Sequence, residues 1–199
     1  MEEIYNFLIK GIRKPKHKVA IFLCGAAGTG KTTTKETFLD DAKIKTTFVN
    51  INIDEIRPMV GTQEEARKVL VSIFNNAVND GYSILYDGTC RDKTNILSRM
   101  KFLKENQYKI ILGVTYTSLN TALKRIQERS DQPLDETIAR DIYYHLKKNV
   151  ETYMKLDDID EVYLYNNEKL TKLVFTRKLK RISCISPNSN FYFDISNYC

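Results

Sequence analysis

Residues Lys18–Thr34 have the sequence KVAIFLCGAAGTGKTTT, and this stretch decides the fold. The apolar run Val19–Cys24 predicts a buried strand, and Gly25–Thr32 follows the Walker A pattern G-x-x-x-x-G-K-[ST] of a phosphate-binding loop. Glycines let the backbone curl until successive N–H groups point at one anion, and the positive end of a following helix favours negative charge. This P-loop, Gly25–Thr32, therefore predicts a nucleoside-triphosphate site.

Two side chains of the P-loop are expected to carry chemistry of their own. Lys31 is placed to reach the β- and γ-phosphates, and the Thr32 hydroxyl is placed to ligate Mg²⁺. A chance glycine-rich turn is the alternative, and the strand before the loop and the helix-like segment after it argue against that. The residues predicted to hold the triphosphate are Gly25, Ala26, Ala27, Gly28, Thr29, Gly30, Lys31, Thr32 and Thr33.

The composition is that of an ordinary globular protein. The chain has 199 residues, of which 42% are hydrophobic and 28% charged, so one domain with a real core is expected. We predict a single domain over residues 1–199, with a core at about 18–167 and a basic extension at 168–199. The formal net charge of +6 suits a polyanionic partner, although a solvated basic surface would give the same charge.

Targeting signals and cysteine usage predict a cytoplasmic protein that does not contact a membrane. No apolar run approaches the length of about 18 residues that a membrane-spanning helix needs. The N-terminus is acidic and its short apolar patch precedes a basic cluster, which is the wrong order for a secretory signal. The four cysteines, Cys24, Cys90, Cys184 and Cys199, have no C-x-x-C spacing, so we expect them to be reduced and not to bind zinc.

Strand-like and helix-like segments alternate along the chain. After the first strand, further strands are predicted at Lys45–Ile53, Tyr82–Tyr86, Tyr108–Thr115 and Val162–Tyr165. This alternation predicts an α/β P-loop fold, in which a mostly parallel sheet of five or slightly more strands has helices on both faces. The segment from Lys169 onward predicts one or two edge strands. The basic side chains expected to be exposed there are Lys172, Arg177, Lys178, Lys180 and Arg181.

Polar residues follow two of the predicted strands, at the edge where an open α/β sheet binds its ligands. Asp54 is expected to act as a general base toward a hydroxyl acceptor, with a helix N-cap as its alternative role. Arg57 is expected to bind an anionic group of the acceptor. Asp87 is placed to bind the Mg²⁺ shell, and Thr89 and Arg91 to contact the acceptor; capping is the alternative for Asp87 and Thr89.

A predicted helix before the polar stretch 130–133 carries Arg125 and Arg129 four residues apart on one face. Phosphoryl transfer needs positive charge near the γ-phosphate, often supplied by a mobile lid, and we expect these two arginines to provide it. Arg140 is a further candidate. A solvated helix face with surface pairs, for example to Asp141, is the alternative for all three.

Together these motifs resemble the zeta-toxin and polynucleotide-kinase branch of small P-loop kinases. The resemblance covers roughly residues 18–167 and ends in the late Val-Tyr-Leu-Tyr-Asn at residues 162–166. It implies an ATP- and Mg²⁺-dependent kinase that transfers the γ-phosphate to a hydroxyl of a nucleotide-containing acceptor. For the toxins it also implies an antitoxin-like protein partner.

Two acceptors stay open within that branch. Phe48–Arg57 is similar to the base-bearing segment of phage-type polynucleotide 5′-kinases, which implies a nucleic-acid 5′-end. Asp87–Arg91 and Asp160–Asn166 look more like zeta toxins, which phosphorylate the sugar 3′-hydroxyl of a nucleotide sugar, UDP-N-acetylglucosamine. A short segment before Ser83, and Asp87 in place of the toxins' Glu, depart from the toxin pattern. A non-kinase P-loop protein acting as a nucleotide-dependent switch or binding module is the alternative function.

Overall fold

The described residues form one β-sheet, and its strands alternate with helices along the chain. The structure is a computed structural model that describes residues 2–129, 134–179 and 181–199. The strands are β1 Val19–Cys24, β2 Val49–Asn52, β3 Ile84–Gly88, β4 Lys109–Tyr116, β5 Glu161–Asn166, β6 Lys172–Lys178 and β7 Arg181–Cys184. The helices are α1 Glu2–Ile9, α2 Lys31–Asp41, α3 Ile53–Val60, α4 Gln63–Asn79, α5 Lys93–Glu105, α6 Leu119–Gln127 and α7 Glu136–Met154, followed by a 3₁₀ helix at Ile195–Tyr198.

The strand order in the sheet is β2-β3-β1-β4-β5-β6-β7. The first five strands in this order are parallel and the last two are antiparallel, which confirms the predicted α/β fold with a mostly parallel sheet. In the register of β1 and β3, Leu23 pairs with Asp87 and Cys24 pairs with Gly88. The P-loop after β1 and the polar segment after β3 therefore leave the same edge of the sheet side by side.

The helix that follows the P-loop is fixed against one face of the sheet by Phe38. This ring is fully buried and makes edge contacts with Tyr163 and Tyr165, at centroid distances of 5.5 and 6.0 Å. A Cβ at Gly113 of β4 would lie 2.6 Å from the Phe38 ring, so only glycine lets α2 approach this closely. Burying such a ring contributes about 2–3 kcal/mol, and it holds α2, the helix that follows the P-loop, against the sheet.

Both ends of the chain pack onto the other face of the sheet. In α1 the Tyr5 side chain is buried and its hydroxyl donates to Asp80 Oδ2 at 2.5 Å. At the C-terminus Phe191, Tyr192 and Ile195 are buried, and the Tyr192 hydroxyl donates to the Thr115 carbonyl at 3.3 Å. No helix within residues 2–129, 134–179 and 181–199 is long and apolar enough to cross a membrane.

The predicted edge strands form the hairpin β6–β7, with one correction. Lys172, Lys178 and Arg181 are exposed as predicted, but Arg177 is half-buried. Its Nη2 donates to the carbonyls of residues 156 and 159, at 2.9 Å in each case, which ties β6 to the segment after α7. Lys180 and the predicted polar stretch 130–133 lie outside the described residues.

The cysteines are paired in the structure, which differs from the expectation of reduced thiols. Cys24 is bonded to Cys90, and Cys184 to Cys199, so none of the four is free. Neither pair has a sequence spacing that signals it. Cys24 ends β1 and Cys90 follows β3, so it is the parallel pairing of these strands that brings the first pair together.

Candidate active site

The P-loop connects the C-terminal end of β1 to the start of α2 and is held closed by its own hydrogen bonds. The Thr29 hydroxyl donates to the Ala26 carbonyl at 2.8 Å. The Lys31 ammonium donates to the Gly25 carbonyl at 2.8 Å, which folds this side chain back across the loop. The Lys31 ammonium is therefore held across the loop by a hydrogen bond of the loop itself.

Two of the loop glycines are required both by backbone conformation and by space. Gly28 and Gly30 have φ values of 76° and 84°, in the left-handed region that side chains disfavour. A Cβ at Gly28 would lie 2.2 Å from the Ala122 carbonyl oxygen, and one at Gly30 would lie 2.0 Å from Asn167 Nδ2. The outer turn of the P-loop is thus packed directly against α6 and against the segment after β5.

Charged groups from two neighbouring strand ends surround Lys31. Burial lowers the pKa of Lys31, while the carboxylates of Asp87 and Asp54 act to raise it and the charge of Arg129 lowers it further. Burial also raises the pKa of Asp87, and Lys31 and Lys35 oppose that rise. The arrangement joins the anion-binding loop to two carboxylates, one of which, Asp54, is exposed to solvent.

Asp54 does not cap the helix on which it lies. The N-cap of α3 is Asn52, whose Oδ1 accepts the Asp54 N–H at 2.9 Å, so the capping alternative for Asp54 is wrong. In the described part of the chain its carboxylate has no hydrogen-bond or ion-pair partner. The register of β2 and β3 pairs Asn52 with Asp87, which explains why Asp54 lies close to both Asp87 and Lys31.

The segment Asp87–Arg91 is fastened to α7 through its backbone. The Tyr153 hydroxyl donates to the Cys90 carbonyl at 3.0 Å, and the Asn149 amide donates to the Arg91 carbonyl at 2.7 Å. The N-cap of α5 is Asp92, which leaves the side chains of Asp87 and Thr89 without a capping role. The Arg91 guanidinium donates to Asp141 Oδ2 at 3.3 Å, and Arg57, on α3, is exposed.

The two arginines predicted on one helix face have different surroundings. The Arg125 guanidinium donates to three carbonyls, those of Gly28 at 3.5 Å, Asn167 at 3.0 Å and residue 168 at 3.1 Å. Arg129 is exposed just beyond α6, yet close enough to Lys31 to affect its pKa. Arg140 pairs with Glu136 at 2.6 Å, a surface pair within α7.

Two further residues, Asn167 and Glu168, contact the site, and neither was predicted from the sequence. The Asn167 amide donates to the Thr29 carbonyl at 2.9 Å. Glu168 accepts hydrogen bonds from the Thr117 hydroxyl at 2.6 Å and from the Ser118 N–H at 2.6 Å, just before α6 begins. Both residues follow β5 at the edge of the sheet where ligands bind. Their position directly after a predicted strand could have identified them as candidate site residues.

The predicted metal residues fit an ion that is also bound by nucleotide phosphates. Within the described ranges, no group of three or more His, Cys, Asp or Glu side chains is arranged to hold a metal ion. The predicted metal residues, Thr32 and Asp87, offer one hydroxyl and one carboxylate. Mg²⁺ that bridges nucleotide phosphates commonly takes only one or two protein ligands, so this donor set fits such an ion.

Comparison with known proteins decides the family. The family model for Zeta toxin matches residues 7–179. The chain belongs to the zeta-toxin family. It is also 27% identical over 174 residues to a protein of Autographa californica nuclear polyhedrosis virus described as a bifunctional polynucleotide kinase/RNA ligase. That alignment covers 79% of this chain but only 25% of the viral protein, so the chain spans about a quarter of this relative.

Solved structures show that this member of the zeta-toxin family has the P-loop kinase fold. A structure from the PezAT toxin–antitoxin system of Streptococcus pneumoniae matches with a TM-score of 0.70 at 19% identity, over 88% of this chain and 78% of that one. A complex of AvrRxo1-ORF1 and AvrRxo1-ORF2 with ATP matches with a TM-score of 0.64 at 14% identity, over 92% and 64%. The Pnkp1/Rnl/Hen1 RNA repair complex matches with a TM-score of 0.57 at 16% identity, over 70% and 48%. At these identities the likeness extends to the fold alone.

Proposed function

We propose that this protein is an ATP- and Mg²⁺-dependent kinase that phosphorylates a hydroxyl group of a nucleotide-containing acceptor. The observation that carries the proposal is the strand register, which places Asp87 beside the end of β1 that leads into the P-loop and beside Asn52, two residues before Asp54. An anion-binding loop alone would support any nucleotide-binding role. An exposed carboxylate without a structural partner beside that loop supports transfer to a second substrate, because a hydroxyl acceptor needs a base.

Each residue has a role in this proposal. The loop amides and Lys31 hold the β- and γ-phosphates, and Thr32 and Asp87 hold the Mg²⁺ that neutralises phosphate charge. Asp54 accepts the proton of the acceptor hydroxyl. Arg125 and Arg129 stabilise the charge of the transferred group, and Arg125 also positions the loop through the Gly28 carbonyl. The acceptor is bound by Arg57, Thr89 and Arg91.

The acceptor is proposed to be either a nucleotide sugar or a nucleic acid with a 5′-hydroxyl end. The family membership supports the first, and the viral relative, a polynucleotide kinase/RNA ligase by its description, supports the second. The test is transfer of labelled γ-phosphate from ATP to UDP-N-acetylglucosamine, to 5′-hydroxyl DNA and to 5′-hydroxyl RNA. Labelling of the nucleotide sugar alone would contradict the nucleic-acid assignment. Labelling of the oligonucleotides alone would contradict the nucleotide-sugar assignment.

Two variants test the kinase assignment itself. Lys31→Ala should lower transfer about 100-fold or more, because electrostatic stabilisation dominates this reaction. Asp54→Asn should lower the transfer rate about 10²-fold or more while ATP affinity stays unchanged. The matched control is Arg140→Gln, which breaks a surface pair within α7. ATP consumption that needs no hydroxyl acceptor would favour the nucleotide switch instead.

The proposal extends to a partner and to a location. PezAT is a toxin–antitoxin system, and the similarity to it supports an antitoxin-like protein partner here. ATP and nucleotide acceptors are cytoplasmic metabolites, which supports a cytoplasmic location. Co-purification of a partner that blocks labelled transfer is the corresponding test.

A further inference from the structure

Arg99, on α5, is a charged side chain that none of the assigned roles uses. Its guanidinium carbon lies 4.7 Å from the centroid of the Tyr86 ring and 5.0 Å from the centroid of the Phe74 ring. Within the described residues the guanidinium makes no hydrogen bond and no ion pair, and its Nη1 is buried without a partner. Burying an unpaired charged donor is costly, and the two aromatic faces offset only part of that cost.

Through its contact with Tyr86, this arginine lies near the C-terminal end of β3, from which the Asp87–Arg91 segment leaves. Tyr86 immediately precedes Asp87 in β3, and its ring folds toward Gly88. A Cβ at Gly88 would lie 3.1 Å from Tyr86 Cε1, so a side chain there would push the ring away. Burial lowers the pKa of Arg99, while Tyr86 and Asp92 act to raise it. The Arg99 guanidinium therefore contacts the Tyr86 ring, and this ring lies against the start of the Asp87–Arg91 segment.

The other candidate cations on this side differ in what they can offer. The Arg91 guanidinium donates to Asp141, so some of its N–H groups already have a partner. Arg57 is exposed on α3 and has no aromatic neighbour among its described contacts. The Arg99 guanidinium lies over two aromatic rings, and within the described residues its N–H groups have no hydrogen-bond partner. A planar fork of this kind matches the oxygens of a phosphate better than any other anion-binding side chain.

We propose that Arg99, stacked on Tyr86, binds a phosphate group of the acceptor on the side of the cleft next to Gly88. This inference rests on the proposed kinase function and deepens it, because it requires an acceptor that already carries a phosphate. The diphosphate of a nucleotide sugar and a phosphodiester of nucleic acid both supply this chemistry. A phosphate-free sugar or nucleoside does not.

The test compares Arg99→Met with wild type. Methionine keeps apolar contact with the rings and removes the charge, and Arg99→Lys keeps the charge but removes the planar fork. The control is Arg67→Met, which removes an exposed arginine from neighbouring α4. Equilibrium binding is measured with the P-loop saturated by a non-hydrolysable ATP analogue and Mg²⁺. The probes are UDP-N-acetylglucosamine, a 5′-hydroxyl oligonucleotide and their phosphate-free counterparts, N-acetylglucosamine and a nucleoside.

Arg99→Met should weaken binding of a phosphate-bearing probe at least about tenfold and raise its KM in transfer, with the KM for ATP unchanged. Arg99→Lys should restore part of the binding, and Arg67→Met should change nothing. Equal weakening of phosphate-free probes, unchanged binding in Arg99→Met, or no wild-type binding of either phosphate-bearing probe would overturn the inference. Wild-type binding without any phosphate transfer would instead overturn the kinase assignment and leave the Arg99 comparison valid.

Discussion

The side-chain amide of Asn167 donates to the main-chain carbonyl of Thr29 across 2.9 Å, which ties the segment after β5 to the outer turn of the P-loop. Asn167 is buried, and its Oδ1 accepts a hydrogen bond from the Thr171 hydroxyl at 2.9 Å. The amide is thereby fixed in orientation. The conformation of the loop is therefore set partly by a residue far from it in sequence.

Replacing Asn167 should loosen the loop without removing any group that binds phosphate. Asn167→Ala should lower the free energy of unfolding by about 1–2 kcal/mol, because the Thr29 carbonyl loses a buried partner. The KM for ATP should rise more than kcat falls. Asn75→Ala, an exposed change on α4, serves as control in chemical denaturation and steady-state assays. An unchanged KM for ATP would show that the loop is rigid without this contact.

The glycines at 28 and 30 should respond differently to a second change at Asn167. Gly30→Ala collides with the Asn167 side chain, whereas Gly28→Ala collides with the backbone of Ala122. Asn167→Ala should therefore recover part of the stability lost in Gly30→Ala and none of that lost in Gly28→Ala. The backbone strain at positive φ, about 1 kcal/mol, should persist in both. Thermal unfolding of the two double-mutant cycles measures this, and equal recovery would contradict it.

Glu168 should make stability depend on pH in the acidic range. Burial acts to raise its pKa, but hydrogen bonds from the Ser118 N–H and from hydroxyls at 117, 118 and 121 lower it from 4.5 to about 2. A depressed folded-state pKa stabilises the protein above the ordinary value near 4.5, and this contribution disappears as pH falls toward 2. Glu168→Gln should therefore cost about 2 kcal/mol at pH 7 and little near pH 2.

Urea unfolding across pH 2–7 measures the Glu168 effect, and Glu36→Gln, an exposed change on α2, is the matched control. The assignment is contradicted if the stability difference between the wild type and Glu168→Gln is the same at every pH. The carboxylate would then have the same pKa in the folded and the unfolded protein. In the same variant, the backbone amide hydrogens at the start of α6 should exchange faster with solvent, because the Ser118 N–H loses a charged acceptor.

The bond between Cys24 and Cys90 should contribute to stability and be detectable chemically. It closes a sequence separation of 66 residues, so loop-closure entropy gives about 4 kcal/mol. Thiol titration of the unfolded, unreduced protein should find no free cysteine. Reduction should lower the unfolding free energy of the wild type more than that of Cys24→Ala/Cys90→Ala, which retains only the Cys184–Cys199 bond. Thiols that titrate fully without reductant would contradict this.

Local patterns predicted the elements of this fold well. The helix start at Thr62 is marked by a local capping contact, since its hydroxyl accepts the Glu65 N–H at 3.2 Å. Ser118 caps α6 in the same local way, because its side chain accepts the Thr121 N–H. These features depend on residues within a few positions of one another, and so sequence spacing fixes them. The exposure predicted for Arg177 was wrong because its partners are the carbonyls of residues 156 and 159, beyond the end of α7, which local spacing does not reveal.

The sequence by itself determined the P-loop, the alternating α/β architecture and the strand ends at which Asp54 and Asp87 lie, because glycine placement and apolar periodicity are local properties. Tertiary structure alone decided that Asn167 and Glu168 support the loop and α6. It also decided the pairing of the cysteines and the stacking of Arg99 on Tyr86. These relationships arise when parallel strand pairing brings distant segments together, and no pattern within one segment encodes them.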